Sequence, residues 1–130
     1  MAADALIDTG AILALLDRTD RWHHVCVDAF PQLRLPLLTS QAVLAELFHL
    51  LGDSRREMET AWKFIRSGAI SLTRSCRAIG IAEWISLTPP WSILAKREGL
   101  PTVFTVDRAD FDSYRIEGRK RFRIFPATQP

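Results

Sequence analysis

The fold is decided by residues 5–11, Ala5-Leu6-Ile7-Asp8-Thr9-Gly10-Ala11, a short apolar run that ends at an aspartate and continues into helix-forming residues. A second run of the same kind, Pro101-Thr102-Val103-Phe104-Thr105-Val106-Asp107, comes much later in the chain. Each aspartate stands where a buried strand is predicted to end. In open α/β sheets the carboxyl ends of parallel strands form the edge where ligands bind. Two carboxylates delivered to that edge predict a shared metal ion.

The composition is that of a folded globular protein. The 130 residues are 48% hydrophobic and 25% charged, with a formal net charge of only +2. This composition excludes disordered and collagen-like chains. We expect one domain over residues 1–130. The two cysteines are too few for a disulfide scaffold and do not form a C-x-x-C motif. Without a signal-peptide pattern or a run of about 18 apolar residues, we expect a cytoplasmic protein outside the membrane.

Strand-like and helix-like segments alternate along the chain, which predicts an α/β domain with a mostly parallel central sheet flanked by helices. Thr9 is predicted to cap the first helix, which runs to about Asp17. In the 41–51 helix we expect Val43, Leu47, Leu50 and Leu51 on the buried side. The predicted strands cover 4–8, 69–73, 102–106 and 121–125. Asp20 could cap a second helix, in which Trp22, Val25, Cys26 and Phe30 have helix-like spacing, and further helices are predicted over 54–66, 74–86 and about 90–98.

Three acids are the candidate metal ligands: Asp8, Glu46 and Asp107. Glu46 is predicted to lie at the margin of the buried side of its helix, where a lone charge is costly unless it is paired or binds a metal. Mg²⁺ and Mn²⁺ prefer oxygen ligands, and such an ion can orient water against a phosphate. Each acid also has an ordinary interpretation: Asp8 as a turn or helix-capping residue, Asp107 as a loop residue, and Glu46 as a partly exposed helix residue.

The triplet Asp8-Thr9-Gly10 is also similar to the active-site triplet of retroviral-type aspartic proteases. That hypothesis requires an almost all-β chain with a glycine-rich flap. The helix-forming residues directly after the triplet, and glycines that occur singly, argue against it.

Cations are concentrated near the end of the chain. Between Ser113 and Arg123 there is one anion, Glu117, against five cations: Arg115, Arg119, Lys120, Arg121 and Arg123. Contacts to phosphates dominate the affinity of proteins for nucleic acids, so this cluster is suited to an RNA backbone. The alternative is an edge strand that is protected by its charges.

Residues 6–11, 43–47 and 94–111 occur in an order and spacing that resemble the PIN-domain ribonucleases, in particular the VapC-type toxins of bacterial toxin–antitoxin pairs. The resemblance covers nearly the whole chain and implies a PIN-like domain that hydrolyses RNA as an endoribonuclease dependent on Mg²⁺ or Mn²⁺. It also implies an antitoxin partner and a homodimer. By position, Asp8 matches the first acid of the family, Glu46 the second and Asp107 the last. Thr105 matches a hydroxyl residue that the family commonly has near the site. Thr9 is a further candidate to orient ligands or water.

One position departs from the family pattern. Thr88 stands about where the family has a further aspartate, or the segment is shortened here. Threonine brings no charge, so the resemblance implies weaker metal binding, unless Glu83, Asp110 or Asp112 completes the site. The alternative function is a catalytically weakened module that binds an antitoxin-like partner or RNA without cleaving it.

Overall fold

The computed structural model describes residues 4–72, 90–116 and 119–127. The strands in this part of the chain are β1 (Leu6–Ile7), β2 (Leu37–Thr39), β3 (Ile70–Leu72), β4 (Thr102–Phe104), β5 (Arg115–Ile116), β6 (Lys120–Arg121) and β7 (Arg123–Phe125). The helices are α1 (Thr9–Leu16), α2 (His23–Ala29), α3 (Gln41–Leu51), α4 (Arg55–Arg66), α5 (Pro90–Glu98) and α6 (Arg108–Ser113), and a 3-10 turn covers Phe30–Gln32.

Five strands form the central sheet in the order β3-β2-β1-β4-β7, and each described pairing between them is parallel. β1 lies in the middle, with β2 on one side and β4 on the other. Helices flank the sheet, so the predicted α/β class with a mostly parallel sheet is confirmed. β5 and β6 form a separate antiparallel pair, in which Arg115 lies opposite Arg121.

Successive residues of a strand point to opposite faces of the sheet, and the core is divided accordingly. Ile7 and Phe104 belong to a cluster that α1, α2, α3 and α4 cover. Their neighbours Leu6 and Val103 belong to a second cluster with Leu94 of α5 and residues of α6 and the β5–β6 pair. Both faces of the central strands are therefore buried, as the continuous apolar runs in the sequence predict.

Helix starts follow the side chains that precede them. The Ser40 side chain accepts a hydrogen bond from the Val43 amide and caps α3, which ends at Gly52 with a φ of 61°. Ser54 caps α4 in the same way. The predictions for these two helices agree with the structure to within one residue because caps and a left-handed glycine mark their ends.

Several details of the sequence prediction are wrong. Asp8 caps α1, and Thr9 is its first residue. Leu50 is 56% exposed, while Val43, Leu47 and Leu51 are buried. The single strand predicted at 121–125 is divided between β6 and β7, with buried Phe122 between them.

Strand β2 was not predicted at all, because three residues after a proline show too short a pattern. The helix predicted at 74–86 lies outside the described residues. Within the described ranges, no helix is both long and apolar enough to cross a lipid bilayer.

Gly10 permits the close approach of α1 to the segment that follows β4. A Cβ atom at this position would lie 2.8 Å from Cγ2 of Val106. We expect Gly10→Ala to lower the free energy of unfolding by about 1–3 kcal/mol, although alanine is normally the better helix residue. Urea unfolding measures this difference. The double variant Gly10→Ala/Val106→Ala should recover part of the loss, and equal losses in the single and double variants would contradict the close contact.

Candidate functional site

The acidic residues lie at the point where the strand order reverses. From β1 the chain proceeds to β2 and β3 on one side, and later returns to β4 on the other side. Crevices at such switch points are the usual ligand sites of parallel α/β sheets. Asp8 directly follows β1, and its amide donates a hydrogen bond to the Phe104 carbonyl oxygen at 3.1 Å. Asp107 follows β4 by three residues, so both predicted aspartates come from the strands that border this crevice.

Thr105 joins the two aspartates. Its Oγ1 donates a hydrogen bond to Oδ2 of Asp8 at 3.1 Å and accepts one from the Asp107 amide at 3.0 Å. Thr105 is fully buried. Asp107 in turn caps α6, since its Oδ1 accepts a hydrogen bond from the Asp110 amide at 3.3 Å. One buried hydroxyl therefore fixes both the Asp8 side chain and the start of the loop that carries Asp107.

Thr9 makes the corresponding link to Glu46. Its Oγ1 lies 2.9 Å from Oε2 of Glu46 and 3.5 Å from the Val43 carbonyl oxygen. The hydroxyl has one proton, and the shorter contact to a carboxylate is the stronger hydrogen bond. Thr9 is buried, whereas Glu46 is exposed apart from this contact. Glu46 was predicted to lie at the margin of the buried side of its helix. Its carboxylate does contact a buried hydroxyl, but the residue as a whole is exposed.

Asp8 connects these links, and its ionised form is destabilised. Burial raises the pKa of Asp8 above its usual 3.8, and the negative charges of Glu46 and Asp107 raise it further. Hydrogen bonds from the Thr9 amide and the Thr105 hydroxyl act in the opposite direction. Asp107 likewise raises the pKa of exposed Asp110. Among the described residues, neither Asp8 nor Glu46 nor Asp107 forms a salt bridge, so no side-chain cation offsets this negative charge.

This raised pKa predicts a pH dependence of stability. As pH rises above about 4, Asp8 loses its proton in the unfolded chain before it does so in the folded one. The free energy of unfolding should therefore fall through this range, whereas an Asp8→Asn variant lacks this contribution. Urea unfolding between pH 4 and pH 7 in chelator measures the difference between the two proteins. Asparagine should become relatively more stabilising as pH rises, and the opposite trend would mean that the folded protein lowers the pKa of Asp8.

Sequence reasoning missed two residues near this site. Thr39, at the end of β2, is fully buried and donates a hydrogen bond to the Ile7 carbonyl oxygen at 3.1 Å. Tyr114 follows α6, and the charges of Asp110, Asp107 and Asp8 contribute to raising its pKa, after burial as the first cause. The i, i+3 and i+7 spacing of Asp107, Asp110 and Tyr114 was the available signal for Tyr114.

The other predicted site residues are exposed, half-buried or outside the part of the chain that the structure describes. Glu83 and Thr88 lie outside the described residues. Asp110 and Asp112 are exposed. Arg115 is half-buried and donates hydrogen bonds to the carbonyl oxygens of Asp112 and Tyr114. The other four cations of the predicted basic cluster are exposed on or beside the β5–β6 pair: Arg119, Lys120, Arg121 and Arg123.

The donors at this edge are chemically suited to a hard divalent cation. They are carboxylate and hydroxyl oxygens. In the described ranges no cationic side chain is paired with the carboxylates. Each carboxylate oxygen of Asp8 accepts one hydrogen bond and keeps a lone pair for a cation. In residues 4–72, 90–116 and 119–127, no three His, Cys, Asp or Glu side chains already stand close enough to hold one ion together. Mg²⁺ commonly uses only one or two carboxylates and completes its coordination with water, and this donor set is compatible with that mode.

The aspartic protease hypothesis is excluded by the fold. Its triplet must lie in an almost all-β domain, whereas Asp8 here caps a helix in a parallel α/β sheet.

Comparison with known proteins gives an independent result. No protein-family model matches the sequence. The chain is 27% identical to a protein named ribonuclease VapC26 from Mycobacterium tuberculosis, over 93% of this chain and 99% of that protein. The similarity extends over essentially both full lengths, and the α/β sheet agrees with the fold that the sequence motifs predicted. The chain is thus similar, over nearly its whole length, to a protein that is named as a VapC-type ribonuclease.

Proposed function

We propose that this protein is an endoribonuclease that depends on Mg²⁺ or Mn²⁺ and acts as the toxin of a toxin–antitoxin pair. The observation that carries the proposal is the position of Asp8, which Thr105 links to Asp107 and whose neighbour Thr9 bonds Glu46. The relative from Mycobacterium tuberculosis is named a ribonuclease, which supports the same activity.

Asp8, Glu46 and Asp107 would hold the cation, together with water molecules. When bound, such an ion orients a water molecule and offsets negative charge on the phosphate that is attacked. The protein's own contribution is orientation, because Thr105 and Thr9 fix one oxygen each of Asp8 and Glu46. Hydrogen-bonded outer residues of this kind are commonly worth 10- to 100-fold in metal affinity or activity. Asp110 is an accessory candidate, since it is close enough to Asp107 for their charges to interact.

The basic cluster would contact the RNA strand. Arg119, Lys120, Arg121 and Arg123 are exposed, and Arg121 lies opposite Arg115 in the β5–β6 pair. Like charges placed directly across a strand pair destabilise it, and a bound phosphate backbone would relieve that repulsion. It would also offset the repulsion between RNA and the acidic edge of the sheet.

The resemblance to toxins extends the proposal to partners. A small antitoxin would bind and inhibit the nuclease, and the active form would be a homodimer in the cytoplasm. Exposed apolar side chains are available for such contacts, including Leu50 and Trp62, which are 56% and 44% exposed.

Metal removal tests the proposal. We expect the protein to cleave single-stranded RNA with Mn²⁺ or Mg²⁺, to lose that activity in excess chelator, and to regain it when Mn²⁺ is added above the chelator concentration. Gel analysis of an end-labelled RNA measures the rate. Cleavage that continues at an equal rate in chelator would contradict a metal-dependent site.

The second candidate function is a module that binds its partner or RNA without cleaving. The resemblance favours it, because Thr88 stands about where the family has an aspartate. Calorimetric titration with Mn²⁺ separates the two proposals. One saturable site supports the nuclease, whereas no specific uptake of Mn²⁺ supports the binding module.

A further inference from the structure

Tyr114 lies at the opposite end of α6 from Asp107. Asp107 caps the start of this helix, and Tyr114 is the residue at which it ends. Residues three and seven positions apart lie on neighbouring parts of one helix surface. Asp107, Asp110 and Tyr114 therefore follow one side of α6, which leads away from the acidic edge of the sheet.

The tyrosine ring is held firmly in place. It meets the Phe111 ring edge to face, with centroids 5.3 Å apart and planes at 72°, and it packs against the core cluster around Leu6 and Val103. The Tyr114 amide donates a hydrogen bond to the Asp110 carbonyl oxygen at 3.1 Å, and its own carbonyl oxygen accepts one from Arg115. A side chain fixed by packing loses little further freedom when it binds a ligand.

The hydroxyl group of this ring has no hydrogen-bond partner in the part of the chain that the structure describes, although the residue is half-buried. Burial raises the pKa of Tyr114, and the negative charges of Asp110, Asp107 and Asp8 raise it further, which favours the protonated hydroxyl. Ionised carboxylates only accept hydrogen bonds. Tyr114 thus adds a neutral donor to a site whose charged groups are acceptors.

We propose that the Tyr114 hydroxyl donates a hydrogen bond to a phosphate oxygen of the RNA strand beside the acidic site, and that Tyr114 is a substrate-positioning residue. This inference rests on the proposed nuclease function. The next residue, Arg115, begins the β5–β6 pair with its exposed cations. A strand that runs from the acidic edge to those cations would pass Tyr114, and phosphate oxygens are the acceptors that such a strand presents.

The kinetic test compares the wild-type protein with Tyr114→Phe, which keeps the ring and removes only the hydroxyl. A hydrogen bond to a charged group is worth about 10-fold or more in binding. We expect KM for a short RNA to rise about 10-fold while kcat changes by less than about 2-fold, since the contact exists before and during the reaction. The slope of log KM against log salt should stay unchanged, because no charge is lost. In the matched variant Arg121→Gln the slope should fall by about 0.7.

The second readout uses the fact that Tyr114 is the only tyrosine in the chain. Labelling with 3-fluorotyrosine gives one 19F signal from this residue. In the full-length Asp8→Asn variant, addition of an eight-nucleotide RNA should shift that signal, and the same concentration of salt alone should not.

Both results are required. Unchanged KM in Tyr114→Phe would overturn the inference, and a raised KM without a shift of the 19F signal would also overturn it, because the hydroxyl would then act only on the structure. If the wild-type protein cleaves no RNA, the proposed function fails, and the 19F titration alone decides whether Tyr114 contacts RNA. The two failures are therefore distinguishable.

Discussion

Asp8→Asn is expected to reduce RNA cleavage by about 100-fold or more, without loss of stability. Asparagine keeps one acceptor oxygen, which can take the hydrogen bond from the Thr9 amide, and it caps helices about as well as aspartate does. Its amide nitrogen then faces the Thr105 hydroxyl, which can accept a hydrogen bond from it in place of donating one. It lacks the negative charge that attracts a divalent cation. The change removes the burial cost of the Asp8 charge and its repulsion from Glu46 and Asp107, both of which raise the pKa of Asp8. The variant should therefore be folded but inactive.

The rate of RNA cleavage in Mn²⁺ measures this effect, and urea unfolding checks the fold. Asp53→Asn is the matched control, because it makes the same chemical change at an exposed residue just after α3. The control should cleave at the wild-type rate. Equal rates in wild-type protein and Asp8→Asn would exclude Asp8 from the site.

Glu46→Gln is expected to reduce cleavage by about 10- to 100-fold. Glutamine can still accept the hydrogen bond from Thr9 through its amide oxygen, so α1 and α3 should remain linked. What is lost is the second carboxylate charge near Asp8, which contributes to its raised pKa. The smaller expected effect follows from the exposure of Glu46, since water can replace an exposed ligand more readily than a buried one.

The matched control for Glu46→Gln is Glu57→Gln in the first turn of α4, where the glutamate is also exposed. It should leave both cleavage and Mn²⁺ affinity unchanged. If Glu46→Gln weakens neither cleavage nor Mn²⁺ binding, Glu46 serves only as an acceptor for Thr9 and the site consists of the two aspartates.

Local signals explain what the sequence could predict about the fold. α3 and α4 were predicted closely because Ser40, Ser54 and Gly52 mark their ends. The five-residue strand predicted around Leu6 is only two residues long, because Asp8 turns the chain into a helix at once. Strand β2 escaped prediction since its pairing partners, Leu6 and Ile70, lie far away in the sequence. Such pairing depends on tertiary contacts that no local pattern contains.

For the site too, some features could be predicted from the sequence and others depend on tertiary contacts. Strand ends predicted that Asp8 and Asp107 would reach one edge, because that inference depends only on topology. The bonds through Thr105 and Thr9 depend on the relative register of β1 and β4 and on the rotation of α3, and the sequence does not contain either quantity explicitly. The ordinary interpretation of Asp8 as a helix cap and the functional one are compatible, since capping uses its Oδ1 atom and Thr105 contacts its Oδ2 atom.

Diffraction from a Mn²⁺-soaked crystal, recorded near the manganese absorption edge, would show whether Asp8, Glu46 and Asp107 bind a cation. We expect one anomalous peak at the carboxyl edge of β1 and β4, about 2–2.5 Å from a carboxylate oxygen of Asp8 and of at least one of Glu46 and Asp107. A peak elsewhere on the molecule, or none at saturating Mn²⁺, would contradict this metal site.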